Sequence, residues 1–192
     1  MGFFNWAAPM FHRAANRWSD ETIAIIASRL RPAVDPGGTV LDVGGGTGAL
    51  AVRLAHALDA NVTLLDPTPE MVNYVPTDSG IEVVIGSAED MPLHTDSFDS
   101  IVVSDAFHHF RDQPSAVMEF ARVTRRGGRV LILELDPRGW GIRLLALGEK
   151  LLGEPAAFFT PDDLCAFMVA RGIEGTCERD QAPAYHFLGE VR

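Results

Sequence analysis

The chain has 192 residues, 47% of them hydrophobic and 22% charged, enough to bury one substantial core and ordinary for a globular fold. With 16 Lys and Arg against 26 Asp and Glu, its formal charge of -10 repels phosphate backbones and argues against a nucleic-acid partner. No apolar run approaches the roughly 20 residues that cross a bilayer, and the opening residues lack the basic-then-apolar order of a secretory leader.

The elements alternate along the chain. Ser19 or Asp20 caps a helix that runs to Leu30, with Pro32 beyond its end. Thr39 to Val43 is a short apolar strand closed by glycines, and Gly48 to Leu58 carries Leu50, Leu54 and Leu58 at helical spacing. Asn61 to Leu65 is a second strand ending at Asp66, and Pro69 to Tyr74 a short helix. Ile81 to Ile85 and Phe98 to Ser104 are the third and fourth strands, and Pro114 to Thr124 is a helix that Gly127-Gly128 ends. Arg129 to Leu135 is the fifth strand. Short continuous apolar strands of this kind belong to a sheet covered on both faces. The arginines at 122, 125, 126 and 129 read as the solvated end of a helix.

The last third changes character. Gly139 to Leu152 reads as an added helix, and Thr160-Pro161-Asp162-Asp163 opens another that stops near Gly172. Ile173 to Glu178 and Ala184 to Val191, joined by a short link, form an antiparallel pair. Cys165 and Cys177 show no Cys-x-x-Cys or metal-ligand spacing and read as small apolar residues in a reducing cytoplasm; no metal set is expected.

The segment Asp42-Val43-Gly44-Gly45-Gly46-Thr47-Gly48 sits between the first strand and its helix, where a doubly wound sheet receives a nucleotide-type ligand. Gly44-x-Gly46-x-x-Ala49 also satisfies the dinucleotide pattern, so glycines alone leave the ligand open. Asp42 favours one reading. A carboxylate there repels a pyrophosphate, but suits S-adenosylmethionine, which has no phosphate and carries an ammonium and a sulfonium. An acid in this position can also fix the loop by accepting backbone N–H bonds. Asp66, some twenty residues on, suits ribose hydroxyls. Gly86-Ser87-Ala88-Glu89, with Pro92, is placed to lie against an adenine.

Five motifs then fall in a known order: Asp42-x-Gly44-x-Gly46-x-Gly48; Leu65-Asp66-Pro67-Thr68-Pro69-Glu70-Met71; Gly86-Ser87-Ala88-Glu89; Phe98-Asp99 with Ser104-Asp105-Ala106-Phe107-His108-His109-Phe110; and Arg126-Gly127-Gly128-Arg129. Over residues 38 to 136 this resembles the class I S-adenosylmethionine-dependent methyltransferases of the ubiquinone/menaquinone C-methyltransferase-like group. The resemblance implies a cofactor site of Asp42, Gly44, Gly45, Gly46, Gly48, Asp66, Pro67, Met71, Ser87, Ala88, Glu89, Asp105, Ala106 and Phe107. The family often has Asp where Ser87 stands. The opening Phe4-Asn5-Trp6 to Phe11-His12, with Asn16, resembles that of the quinone methyltransferases, which show an acid at Asn5 and Tyr-Asp at Phe11-His12.

The expected fold is α/β: a Rossmann-like, doubly wound, mainly parallel seven-stranded sheet with a C-terminal antiparallel hairpin. It is one domain over 1–192, with an N-terminal helical cap at 1–34, a cofactor-binding core at 38–136 and a substrate-side cap at 137–160. Displacement at a sulfonium needs alignment and exclusion of water, and a base only for acidic donors. A base role is open to His108 and His109, and more remotely to His12. Phe3, Phe4, Trp6, Met10, Phe11 and Trp18, with Trp140 to Leu152, Phe158 and Phe159, read either as plain cover for the sheet or as lids over a small apolar acceptor. The alternative is a catalytically silent cofactor-binding module acting as a partner or regulatory subunit. An oligomer is left open.

Overall fold

The computed structural model describes residues 18–153, 155–180 and 183–192. The expected N-terminal lid residues from Phe3 to Phe11, with His12 and Asn16, lie outside them. Helix α1 (Asp20–Leu30) is capped by Ser19, whose Oγ accepts from Thr22 N at 3.1 Å. There follow β1 (Thr39–Val43), α2 (Ala49–Leu58), β2 (Asn61–Asp66), α3 (Pro69–Val72), β3 (Glu82–Ile85), β4 (Phe98–Ser104), a tight turn at Phe107–His109, and α4 (Gln113–Val123). The chain continues through β5 (Thr124–Leu135), α5 (Trp140–Leu151), α6 (Pro161–Val169), β6 (Ile173–Arg179) and β7 (Ala184–Val191).

All seven strands join one sheet in the order β3-β2-β1-β4-β5-β7-β6. The pairs from β3 to β5 are parallel, and β7 runs antiparallel to both β5 and β6. The expected doubly wound sheet with its closing hairpin is therefore present. The direction of the chain reverses in strand order between β1 and β4, which opens a crevice beyond their carboxyl ends.

Alternation along the strands builds two cores. Leu41, Val43, Ile101, Val103, Val130 and Ile132 pack on one face, against α4 and α6. Val40, Val102 and Leu131 face the other way, against α1 and α2. Side chains this deeply buried contribute about 1.5–3 kcal/mol each before conformational entropy is set against them.

Three expectations need correction. Gly127 and Gly128 do not end the helix; α4 stops at Val123 and the glycines lie inside β5. There the register slips, so that Phe98 to Ser100 on β4 faces Thr124 to Arg129 on β5. Gly128 is needed at this irregularity, since a Cβ would stand 2.5 Å from Thr124 Cγ2 and 2.7 Å from Asp99 O. The arginines are not a helix end, since only Arg122 lies on α4; Arg125 and Arg126 are solvent-exposed as expected but belong to β5, and three of the four make bonds. Arg122 bonds Glu119 and the carbonyls of Leu93 and Met91, Arg125 bonds Asp99, and Arg129 reaches the carbonyl of Arg29. Plain sheet cover also fails for α5, which buries none of its residues and leaves Trp140 82% and Leu151 79% exposed.

Candidate active site

The bend leaving β1 is held from three sides. Gly44 N donates to Leu65 O at 2.7 Å, and Gly44, Gly46 and Gly48 all take positive φ, at 71°, 56° and 75°. Only glycine adopts such angles without strain. The space is as restrictive as the angles. A Cβ on Gly44 would stand 2.7 Å from Ala106 Cβ, on Gly45 2.8 Å from Asp42 Oδ2, and on Gly46 2.9 Å from Met71 Cε. The glycines thus bring the backbone close to Ala106 and Met71, two residues expected in the cofactor site from distant motifs.

A carboxylate does accept from this loop, and it is that of Asp66. Its Oδ2 accepts from Gly46 N at 2.9 Å and its Oδ1 from Thr68 N at 2.8 Å. Burial raises the Asp66 pKa above the usual carboxylate value, and the bonds from Thr68 and Gly46 offset part of that rise. Asp42 is buried beneath Gly45, on β1 between Leu64 and Val102. Pro67 and Met71 follow Asp66 directly, and Met71 is buried against Gly46.

The third loop joins the same crevice. Gly86 N donates to Asp66 O at 3.3 Å, and Ser87 pairs with Asp90 in a short bridge. Ala88 is buried. The Glu89 carboxylate is engaged by the chain after β4, its Oε1 accepting from Arg111 N at 2.8 Å. Glu119 and Arg122 hold this loop by bonding Met91 N at 2.8 Å and Met91 O at 3.1 Å. Apart from the i,i+3 spacing of the pair, local pattern holds no sign of that brace.

Beyond β4, Asp105 sits at φ 53° with its N–H donated to Leu133 O at 2.9 Å. Ala106 faces Gly44, and Phe107 is buried among Phe110, Phe120, Phe159 and Phe167. His108 is buried too. Its Nδ1 lies 2.9–3.0 Å from both oxygens of Glu134, and its backbone N donates to Oε1 at 3.2 Å. Phe158 stacks on the His108 ring at 3.9 Å between centroids, and His109 lies beside it at 4.0 Å. His109 Nδ1 lies 2.8 Å from Pro155 O. A ring nitrogen of His108, one of His109 and a Glu149 carboxylate oxygen all fall within 4.8 Å of one another.

The charges at these histidines differ. Burial works against the His108 cation, but Glu134, with Asp105 and Glu149 behind it, prevails and raises the pKa. Burial and the His108 charge lower His109 to about 4. Glu134 went unnoticed in the sequence, although a lone acid in the apolar run Leu131-Ile132-Leu133-Glu134-Leu135 was its signal. Gln113 is a second omission: its Nε2 donates to Phe107 O and Ala157 O, both at 3.0 Å, tying the turn to residues 155–159.

The segments 42–48, 64–71, 86–91 and 104–107 contain no Lys or Arg, while Asp42 and Asp66 are buried among them. This suits a cationic nucleoside and not a diphosphate. A doubly wound sheet with a β5-β7-β6 antiparallel end and such a bend defines the class I methyltransferase fold. Residues 41–132 match the family model described as "Methyltransferase domain".

Within that class the domain is similar to UbiE. It is 36% identical over 134 residues to a ubiquinone/menaquinone biosynthesis C-methyltransferase of Rhizobium johnstonii, covering 65% of this chain and 49% of that protein. It is 35% identical over 112 residues to the rice chloroplastic 2-methyl-6-phytyl-1,4-hydroquinone methyltransferase 1, covering 56% of this chain and 34% of that one. A Thermotoga maritima SAM-dependent methyltransferase of known structure aligns with a TM-score of 0.76 at 20% identity, over 98% of each chain. The chain spans about half the length of the UbiE relative. The chain is therefore similar to S-adenosylmethionine-dependent methyltransferases, UbiE among them, and shares their fold. Among the described residues, no helix is long and apolar enough to cross a membrane.

Proposed function

We propose that the chain transfers a methyl group from S-adenosylmethionine to a small apolar acceptor by in-line displacement. The bound cofactor supplies a methyl group already activated by its sulfonium. The protein's task is to hold donor and acceptor in line and keep water out. One observation carries the reading: Asp66 clamps Gly46, bringing two buried acids and a close-packed glycine bend together with no cationic side chain in the motifs. Gly44, Gly45, Gly46 and Gly48 line the methionine end, with Asp42 toward the ammonium. Asp66, Pro67 and Met71 take the ribose side, and Ser87, Ala88 and Glu89 the adenine. Asp105, Ala106 and Phe107 lie toward the sulfur.

The apolar acceptor is supported by the aromatic cluster after β4 and by Phe158, which reaches the turn from the segment after α5. The names of the quinone and hydroquinone methyltransferase relatives agree with it. On this reading residues 38–136 are the cofactor core and 137–160 the substrate-side cap of one domain. The test is calorimetry with S-adenosylmethionine, followed by methyl-transfer assays on hydroquinones, catechols and aliphatic amines. Cofactor binding with turnover on an apolar phenol or hydroquinone is expected. Binding without turnover on the whole panel would instead favour a silent regulatory module, and absence of binding would end the proposal.

A further inference from the structure

We propose that the outer face of α5 lies in the surface of a lipid bilayer, with its apolar side chains among the acyl chains and Arg143 and Lys150 at the headgroup phosphates. Trp140, Leu144, Leu147 and Leu151 follow one another at spacings of four, three and four, and all are exposed. Gly141 and Gly148, then Leu145 and Leu152, continue this surface on one side and are exposed or, for Gly148, half-exposed. At about 100° per residue the apolar arc covers about 160° of the helix. The remaining side, with Ile142, Ala146 and Glu149, is half-buried.

Charge selects the occupant. Arg143 and Lys150 border the arc on its other side, and both are exposed. Lys150 is the chain's one lysine. The acid of the helix, Glu149, is turned away from this border, and its Oε2 is buried. An outer face that is apolar with a purely basic rim is complementary to acyl chains beneath a layer of phosphates. The aliphatic stems of Arg143 and Lys150 can lie along the apolar layer while their charged ends reach those phosphates.

A second copy of α5 suits the face poorly. A stripe with this spacing could form a two-helix seam, in which flanking charges pair across the contact. An antiparallel copy would set Arg143 and Lys150 against the same basic pair, and a parallel copy would set them against Gly141 and Gly148. Neither supplies an acid, and the arc is wider than a seam requires. With 12 residues α5 is well short of a span. Trp and Leu on one face with Lys and Arg beside them belong to a helix that lies in the plane of the interface. The formal charge of -10 opposes attachment by charge alone, so the leucines and Trp140 provide the binding and the basic rim sets the orientation.

The test is co-sedimentation of the 192-residue chain with sucrose-loaded phosphatidylcholine vesicles, with and without about 30% phosphatidylglycerol, together with quenching of tryptophan fluorescence by brominated phosphatidylcholine. No methyl donor or acceptor takes part, so vesicle binding stands or falls apart from the reaction. Uptake at about 1 mM lipid is expected, with quenching that Trp140→Phe largely removes. The triple variant Trp140→Gln, Leu144→Gln, Leu151→Gln, at three exposed positions, should lower partitioning about tenfold or more on both kinds of vesicle. Arg143→Gln with Lys150→Gln should lower it about threefold or more on the anionic ones. Thermal melts verify that the variants are folded. No uptake of the wild type overturns the proposal. So does uptake that the folded triple variant keeps, and so does quenching that Trp140→Phe leaves unchanged, which would put another face on the bilayer. A wild-type dimer that the triple variant dissolves, with no vesicle uptake, would give the face to a second copy and overturn it as well.

Discussion

Asp66 shares its carboxylate between two backbone amides, Gly46 at 2.9 Å and Thr68 at 2.8 Å, so the ends of β1 and β2 are fastened to each other at the cofactor loop. Asp66→Ala removes both bonds. Bonds to a charged acceptor contribute about 1.5–3 kcal/mol, and the variant should lose stability of that order in urea denaturation. Calorimetry should show cofactor affinity falling at least about tenfold, because the loop that fits the ligand is no longer held. Unchanged affinity would remove Asp66 from the site.

The same residue sets a pH dependence. Burial raises its folded-state pKa above the ordinary value of 3.8, so the native chain keeps a proton that the unfolded chain has lost. Wherever the native state binds more protons, stability falls as pH rises. Asp66→Asn has no such proton. As the pH rises from the ordinary carboxylate value through the raised one, the melting temperature of the wild type should fall relative to that variant, and an opposite slope would contradict the buried-acid account.

Gly44 faces Ala106 too closely to carry a side chain. At φ 71°, with a Cβ 2.7 Å from Ala106 Cβ, Gly44→Ala meets both a strained backbone and a clash. The expected loss is about 2–4 kcal/mol, with cofactor binding reduced in parallel. Adding Ala106→Gly removes the clash and leaves the strain, so the double variant should recover part of the stability. No recovery would mean that the contact is not the cause.

Gln113 joins two carbonyls that belong to different parts of the site, Phe107 and Ala157. In Gln113→Leu both lose this donor, and Phe107 O keeps only the Phe110 N–H at 3.2 Å, at a cost of about 1–3 kcal/mol. Hydrogen exchange should then accelerate at Ala157, whose N–H is bonded to His108 O at 2.9 Å, more than at β1. Uniform acceleration across the chain would point to global destabilisation instead.

Cys177 should be slow to react. Burial and its neighbour Cys165 push its thiol up to about 12, so only about one molecule in ten thousand is thiolate at pH 8. Iodoacetamide at that pH should label Cys177 only after unfolding. Prompt labelling of the native chain would refute this.

Much of the fold was legible because buried parallel strands are written as short unbroken apolar runs. β4 and β7 have the bounds the sequence indicates, and the glycine bend with Asp42 and Asp66 lies where the pattern puts it. The start of β5 was not legible, because Gly127-Gly128 reads as a helix stop while the structure uses it to absorb a register slip. Local pattern also says nothing of pairs made by folding. His108 with Glu134, Gln113 with Ala157 and Glu119 with Met91 lie 26 to 44 positions apart. The role of α5 stayed open between sheet cover and lid because its helical periodicity shows a stripe but not what the stripe meets.

The placement of β7 has a consequence for how this architecture tolerates shortening. In many sheets the strand made last lies at a border and can be trimmed with local damage. Here it is threaded between β5 and β6 and bonds to each along its length. A stop ahead of Ala184 would strand β6 and bare a row of amides and carbonyls along β5, an adhesive margin for other chains.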